Sequence, residues 1–187
     1  LGPGGAYYQV KEKDWTVIEA LRHARHDWMN DMQLVKGLLA LNKIDEAARA
    51  ADHIIVKAVQ ESKLCNLGMP GMAEMFITFN WEKHKFFLEF EIEDEIIIEK
   101  VDDEVAVRFF QALFSLFDRH ISDYSGQYLY AGFGEKDGRL MVRIEWDGEL
   151  FGKSLLIERI EKLLQPDSVS GRVMKLGDQD ILMEVNF

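Results

Sequence analysis

Arg22-His23-Ala24-Arg25-His26-Asp27-Trp28-Met29-Asn30-Asp31-Met32-Gln33-Leu34-Val35-Lys36-Gly37-Leu38-Leu39 is the stretch on which the fold turns. Its apolar residues do not alternate. Val17, Leu21, Ala24, Trp28, Val35 and Leu38 recur at steps of three and four, and Ile18, Met32 and Leu39 widen the stripe. That period predicts an amphipathic helix from Asp14 to about Asn42, about 40 Å long at ~1.5 Å per residue. Asn42-Lys43-Ile44-Asp45 reads as a tight turn with Asp45 as the next N-cap. A second helix over about Glu46 to Asn66 places Ala47, Ala51, Ile54, Ile55, Ala58 and Val59 on one side, where small residues permit close approach.

A two-helix hairpin with stripes this wide leaves too much apolar surface in water. Two such hairpins, one from each chain of a homodimer, form a four-helix bundle that covers them. Docking onto the chain's own C-terminal half is the other way to cover one stripe. Leu67-Gly68-Met69-Pro70-Gly71 breaks the pattern and marks a domain boundary. The reading is therefore a hairpin over 6–68 and a second domain over 69–187.

The second domain mixes periods. Met72 to about His84 reads as a short helix, Phe86 to Ile92 as a half-buried strand, and Asp102 to Ile121 as a helix presenting Val105, Phe109, Ala112, Leu113, Leu116 and Phe117 to a core. Gln127 to Phe133 and Leu140 to Trp146 read as strands joined at Lys136-Asp137-Gly138. A helix over Lys153 to Leu164 ends at Pro166, and strands near Arg172 to Leu176 and Ile181 to Phe187 follow. The fold class is α+β, helices on a mostly antiparallel sheet forming an α/β sandwich.

Composition narrows the function. The 187 residues are 48% hydrophobic and 29% charged, enough for a packed core. A net charge of -11 argues against nucleic acid as a partner, which would require clustered Lys and Arg. The acidity is uneven, because Arg22 to His26 carries two cations and no acid. No apolar run reaches the ~18–20 residues of a membrane span. Leu1-Gly2-Pro3-Gly4-Gly5 reads as linker, no secretory signal is seen, and a single cysteine, Cys65, fits a reducing cytoplasm.

Among the five histidines, His53, His84 and His120 have nothing that lifts them above ordinary packing or surface roles. His23 and His26 have a spacing open to metal, but a zinc site needs about four ligands and Cys65 lies at the far end of the second helix. His26 differs through its neighbours. It lies off the apolar stripe, with Arg22 one turn before it and Asn30 and Gln33 one and two turns after, flanked by Arg25 and Asp27. A solvent-reaching neutral imidazole is a competent nucleophile. Guanidinium groups stabilise a transferring phosphoryl group, and Asp27 is placed to orient the ring.

His26-Asp27-Trp28-Met29-Asn30-Asp31-Met32-Gln33-Leu34-Val35-Lys36-Gly37-Leu38-Leu39-Ala40-Leu41 resembles the H-box of the sporulation initiation phosphotransferases, a pattern shared with dicarboxylate-sensing histidine kinases. The resemblance continues in Glu61-Ser62-Lys63-Leu64-Cys65-Asn66-Leu67 and Phe76-Ile77-Thr78-Phe79-Asn80-Trp81. It implies that His26 is phosphorylated on a dimeric bundle, with Asp27, Arg25 and Asn30 in support and Arg22, Arg25 and Gln33 facing the partner. It implies a phosphorelay in sporulation: a phosphorylated single-domain response regulator donates, and a DNA-binding response regulator accepts. The chain itself then needs no cofactor and no metal; Mg2+ belongs to the partner receiver.

The second domain resembles a histidine-kinase ATP-binding domain with its nucleotide site worn away. In Gln111-Ala112-Leu113-Phe114-Ser115-Leu116-Phe117-Asp118-Arg119-His120-Ile121, Ser115 and Arg119 stand where asparagines are expected for magnesium, and Asp118 alone remains. Trp146-Asp147-Gly148-Glu149-Leu150-Phe151-Gly152 keeps one Asp-Gly but lacks the second close glycine. The rival readings are an ATP-dependent sensor histidine kinase core with an atypical pocket, and a noncatalytic dimerisation adaptor.

Overall fold

The computed structural model describes residues 15–98, 101–121, 126–165, 169–177 and 180–187. Two long helices come first, α1 (Val17–Ala40) and α2 (Ile44–Cys65). A capping box starts α1: the Thr16 hydroxyl accepts from the Glu19 N–H at 3.2 Å, and the Glu19 carboxylate reaches back to the Thr16 N–H. The start expected at Asp14 lies outside the described residues. The N-cap expectation at the hairpin turn is corrected. Lys43 holds that position without a side-chain cap bond, and Asp45 sits inside the first turn, where its charge complements the helix dipole.

After Gly68, whose φ of 77° suits glycine, the chain enters α3 (Pro70–Thr78). Pro70 occupies the first turn, where no N–H is missed. The Gly71 and Met72 N–H groups donate instead to the Asp103 carboxylate at 2.7 and 2.9 Å. A Cβ at residue 71 would meet Asp103 Oδ2 at 3.0 Å, so glycine lets this cap form. The helix expected to run to His84 stops at Thr78 and tightens into a 3-10 turn, Phe79–Trp81.

Strands β1 (Phe87–Ile92), β2 (Tyr128–Lys136), β3 (Arg139–Asp147), β4 (Ser170–Leu176) and β5 (Asp180–Asn186) form one sheet in the order β1-β2-β3-β5-β4. Only the β1–β2 pair is parallel. Asp137 and Gly138, with φ of 55° and 78°, make the tight turn between β2 and β3 that Asp-Gly favours. Helices α4 (Asp103–His120) and α5 (Lys153–Leu163) complete the domain. Asp102 caps α4 through the Glu104 and Val105 N–H groups, and Arg119 and His120 sit at its negative end. Pro166, read as the stop for α5, lies outside the described residues.

Burial separates the two halves. Helix α4 buries Phe109, Phe110, Leu113, Phe114 and Phe117 against Leu129, Phe133, Ile144 and Trp146 of the sheet, with Phe76 wedged among them. Truncating one such phenylalanine costs about 3–5 kcal/mol. Helix α1 has no buried residue, and α2 buries only Ala47 and Leu64.

The hairpin is nevertheless fastened to the sheet. On β1, Asn80 brackets the Leu88 N–H and carbonyl at 3.0 and 2.8 Å, and Gln60 of α2 accepts from the Ile92 N–H at 2.7 Å. Lys63 donates to the Ile92 carbonyl and to Asp94. These side chains occupy backbone groups that an open sheet edge would offer to another strand.

Candidate functional site at His26

Helix α1 carries His26 at mid-length with its side chain 74% exposed. One nitrogen is held and the other is open. Nδ1 lies 3.5 Å from Asp27 Oδ1 and 3.3 Å from Asn30 Nδ2. Nε2 has no partner among the described residues. Asp27 gains its hold from the adjacent position and Asn30 from one helical turn later.

Asp27 has a second contact. Trp81 Nε1, in the 3-10 turn of the C-terminal domain, donates to Asp27 Oδ2 at 2.9 Å. The Trp81 ring stacks on His23 at 5.4 Å and 22°, and meets Trp15 edge-on at 5.4 Å. Trp15 also meets His23 edge-on at 5.0 Å and donates to Glu82 at 3.2 Å. His23 is therefore an aromatic packing residue, on the side of α1 that faces the second domain.

Of the other residues singled out, Arg25 Nε donates to the Leu21 carbonyl at 3.2 Å and remains exposed, and Arg22 is exposed a turn before His26. Neither touches the imidazole. Gln33 lines a shallow apolar depression with Trp28, Met29, Met32 and Lys36, one to three turns beyond the histidine. Across from the site on α2, Glu61 is half-buried, and burial raises its carboxyl above the ordinary range; Lys57 opposes the shift, while Asp27 and Asp31 add to it.

Sequence reasoning missed Trp81 and Glu61 as neighbours of the site. Both lie in segments that carry the family resemblance, but nothing local in either segment points to Asp27. No group of three or more His, Cys, Asp or Glu among the described residues could hold a metal ion. No described helix is long and apolar enough to cross a membrane.

The residues expected at a worn nucleotide site have their own geometry. Asp118 bonds His84 Nδ1 at 2.7 Å and the Lys85 N–H at 2.9 Å, while His84 stacks on Phe79 at 3.8 Å. The Gly148–Gly152 loop is sewn to the end of α4: Leu150 bridges Ile121, and the Phe151 N–H donates to the His120 carbonyl at 2.8 Å. A Cβ at Gly148 would lie 2.6 Å from Gln127 Oε1.

Residues 9–67 match the family model described as Sensor_kinase_SpoOB-type, alpha-helical domain, and residues 68–187 match Sporulation initiation phospho-transferase B, C-terminal. Sporulation initiation phosphotransferase B of Bacillus subtilis (strain 168) is 37% identical over 134 residues, 71% of this chain and 70% of that one. Among solved structures, the Acinetobacter baumannii histidine kinase AdeS is similar over 87% of this chain and 96% of its own, at 11% identity and a TM-score of 0.41. The Erythrobacter litoralis blue-light activated histidine kinase is similar over 95% of this chain and 61% of its own, at 13% identity and a TM-score of 0.43. The two family models define the class, a sensor-kinase-type helical domain followed by a phosphotransferase C-terminal domain. The chain belongs to the sporulation initiation phosphotransferase B family, on the strength of the family models and the curated relative.

Proposed function

We propose that the protein is a phosphorelay histidine phosphotransferase in which His26 accepts a phosphoryl group from a receiver-domain aspartate and passes it to the aspartate of a second response regulator. The observation that carries this reading is an exposed imidazole whose Nδ1 is bracketed by Asp27 and Asn30 while Nε2 faces solvent. With the proton on Nδ1, the Nε2 lone pair attacks phosphorus. The bond from phosphorus to the aspartyl oxygen breaks, and the donor carboxylate leaves with the electron pair. The positive ring that results holds its Nδ1 proton toward the Asp27 carboxylate. In the second transfer a carboxylate oxygen of the acceptor attacks phosphorus, the N–P bond breaks, and its electron pair returns to Nε2. Charge on the moving group would be offset by Arg22 and Arg25, and by a Mg2+ if the receiver holds one.

A homodimer is part of this reading, and exposed apolar surface supports it. Val17, Leu21, Trp28, Met32 and Leu39 of α1 and Ile55, Val56 and Val59 of α2 are all exposed in the single chain. A second hairpin covers them in a four-helix bundle, leaving one His26 on each flank for a receiver. The hairpin, 6–68, is the dimerisation and transfer unit of this reading. In this reading the second domain, 69–187, works without ATP, which the engagement of Asp118 by His84 and Lys85 and the tie of the Gly148–Gly152 loop to α4 support. A cytoplasmic location accords with response regulators as partners.

The test is incubation with a phosphorylated receiver, followed by mapping of the label. Acid-labile, base-stable phosphate on His26 that chases onto a second receiver supports the reading. A receiver that keeps its phosphate, with the protein unlabelled, overturns it.

A further inference from the structure

The contact between Trp81 and Asp27 crosses the boundary between the two halves at the residue next to the nucleophile. Trp81 sits 54 positions away in sequence, yet its indole nitrogen lies 2.9 Å from Asp27 Oδ2. The other carboxylate oxygen, Oδ1, is the one that faces His26 Nδ1, at 3.5 Å. One planar group therefore has an oxygen on the C-terminal domain and an oxygen on the imidazole.

We infer that Trp81 is a positioning residue for phosphoryl transfer, acting through Asp27 to hold His26 with its proton on Nδ1 and its lone pair on Nε2. This rests on the proposed role of His26 and adds what the second domain contributes to it. The chemistry is directional. A carboxylate only accepts, so its contact with Nδ1 requires the proton there. The Asn30 amide serves either tautomer by turning over, and so does not choose between them. Asp27 chooses, provided its plane is fixed. Alone on a helix surface, with a side chain 38% exposed, it would spread over several rotamers and point Oδ1 to water for much of the time. The indole N–H removes that freedom by a charge-assisted hydrogen bond.

Trp81 is itself held. His23 covers one face of its ring, Trp15 meets it edge-on, and Asn80 immediately before it grips the backbone of β1 at Leu88. The donor is thus anchored to the sheet through its neighbour Asn80, as support for an orienting residue requires. The long 3.5 Å contact at Nδ1 is the one that shortens when the ring gains positive charge on phosphorylation, because apo contacts of this kind tighten along the reaction.

Trp81→Phe keeps the ring stack and removes only the N–H. Two readouts are taken on the full-length protein. The first is the 15N chemical shift pair of the His26 ring in the unphosphorylated protein, which reports the tautomer without any transfer step. The second is the initial rate of transfer from a phosphorylated receiver, in wild type, Trp81→Phe, Asp27→Asn and the double variant. The inference expects a shift from Nδ1–H toward Nε2–H in Trp81→Phe and a drop in rate of about tenfold, with the half-saturating receiver concentration unchanged. In the Asp27→Asn background the same change should have no further effect. A wild-type tautomer ratio and rate in Trp81→Phe overturns the inference, as does a full further loss in the double variant. Absence of label on wild-type His26 would instead overturn the proposed function, and the tautomer measurement would still report on Trp81.

Discussion

Lys63 of α2 extends its ammonium to within 2.6 Å of Asp94 Oδ1 while also donating to the Ile92 carbonyl at 3.2 Å, so the end of the hairpin is tied to the segment that follows β1. The Lys63 hydrogen bond, and then its charge, hold the Asp94 carboxyl below the usual carboxylate range. A depressed folded-state value contributes stability above the unfolded pKa of about 3.9 and loses it as pH falls through the folded one. Asp94→Asn should therefore slightly lower the urea midpoint at pH 7, with the difference from wild type closing as pH falls below the folded-state value. An equal difference at pH 7 and below that value would contradict the ion pair as its cause.

Glu61 predicts the opposite trend. Its carboxyl is raised by burial first, and by Asp27 and Asp31 after the opposing Lys57, so the native state binds its proton more tightly than the unfolded chain does. Its contribution to stability is present at low pH and lost as pH rises through the folded-state value. Glu61→Gln should raise the melting temperature at pH 7, and the gain should fade as pH falls through the ordinary carboxylate range. A lower melting temperature at pH 7 would show that the ionised carboxylate is held by a favourable contact instead.

Trp28 lies in the exposed apolar stripe of α1, 73% exposed in the single chain. In the dimeric bundle Trp28→Glu buries an unpaired charge costing several kcal/mol, which raises the dimer dissociation constant by about 100-fold or more. Sedimentation equilibrium measures this directly. Wild-type protein that is monomeric at about 10 μM, on the order of a cellular dimer's affinity range, would remove the bundle from the account.

Magnesium-ATP should give no heat of binding in the micromolar range and no label on His26. Ser115 and Arg119 replace the expected asparagines, Asp118 bonds His84 and Lys85, and the Gly148–Gly152 loop is tied to His120 and Ile121. Saturable binding with autophosphorylation would make the chain a kinase.

Most of this architecture was legible in periodicity. The three-and-four spacing of Val17, Leu21, Ala24 and Trp28 marks α1, and the Asp-Gly pair at 137–138 marks the β2–β3 turn. The start of α1 was legible too, in the Thr16-x-x-Glu19 capping box, a stronger signal than Asp14. The ends of α3 and the partners of the site were not. Helix period puts His26 toward solvent and Asn30 beside it, since both facts are local. Trp81 reaches Asp27 only after the 3-10 turn that follows α3 is brought back to α1, and Asp118 meets His84 only once α4 packs against α3. Contacts 54 and 34 residues apart follow from tertiary packing, which no local pattern encodes.

The central claim is that His26 alone carries the phosphoryl group. His26→Gln keeps helix and polarity but removes the nucleophile, so the secondary structure and dimer should survive. The decisive measurement is phosphate incorporation from a labelled phospho-receiver into wild type, His26→Gln and His53→Gln, the last an exposed histidine of α2. The account predicts acid-labile label in wild type and His53→Gln, none in His26→Gln, and a relay rate reduced by about 1,000-fold or more in that variant alone. Label retained by a folded, dimeric His26→Gln protein would contradict it.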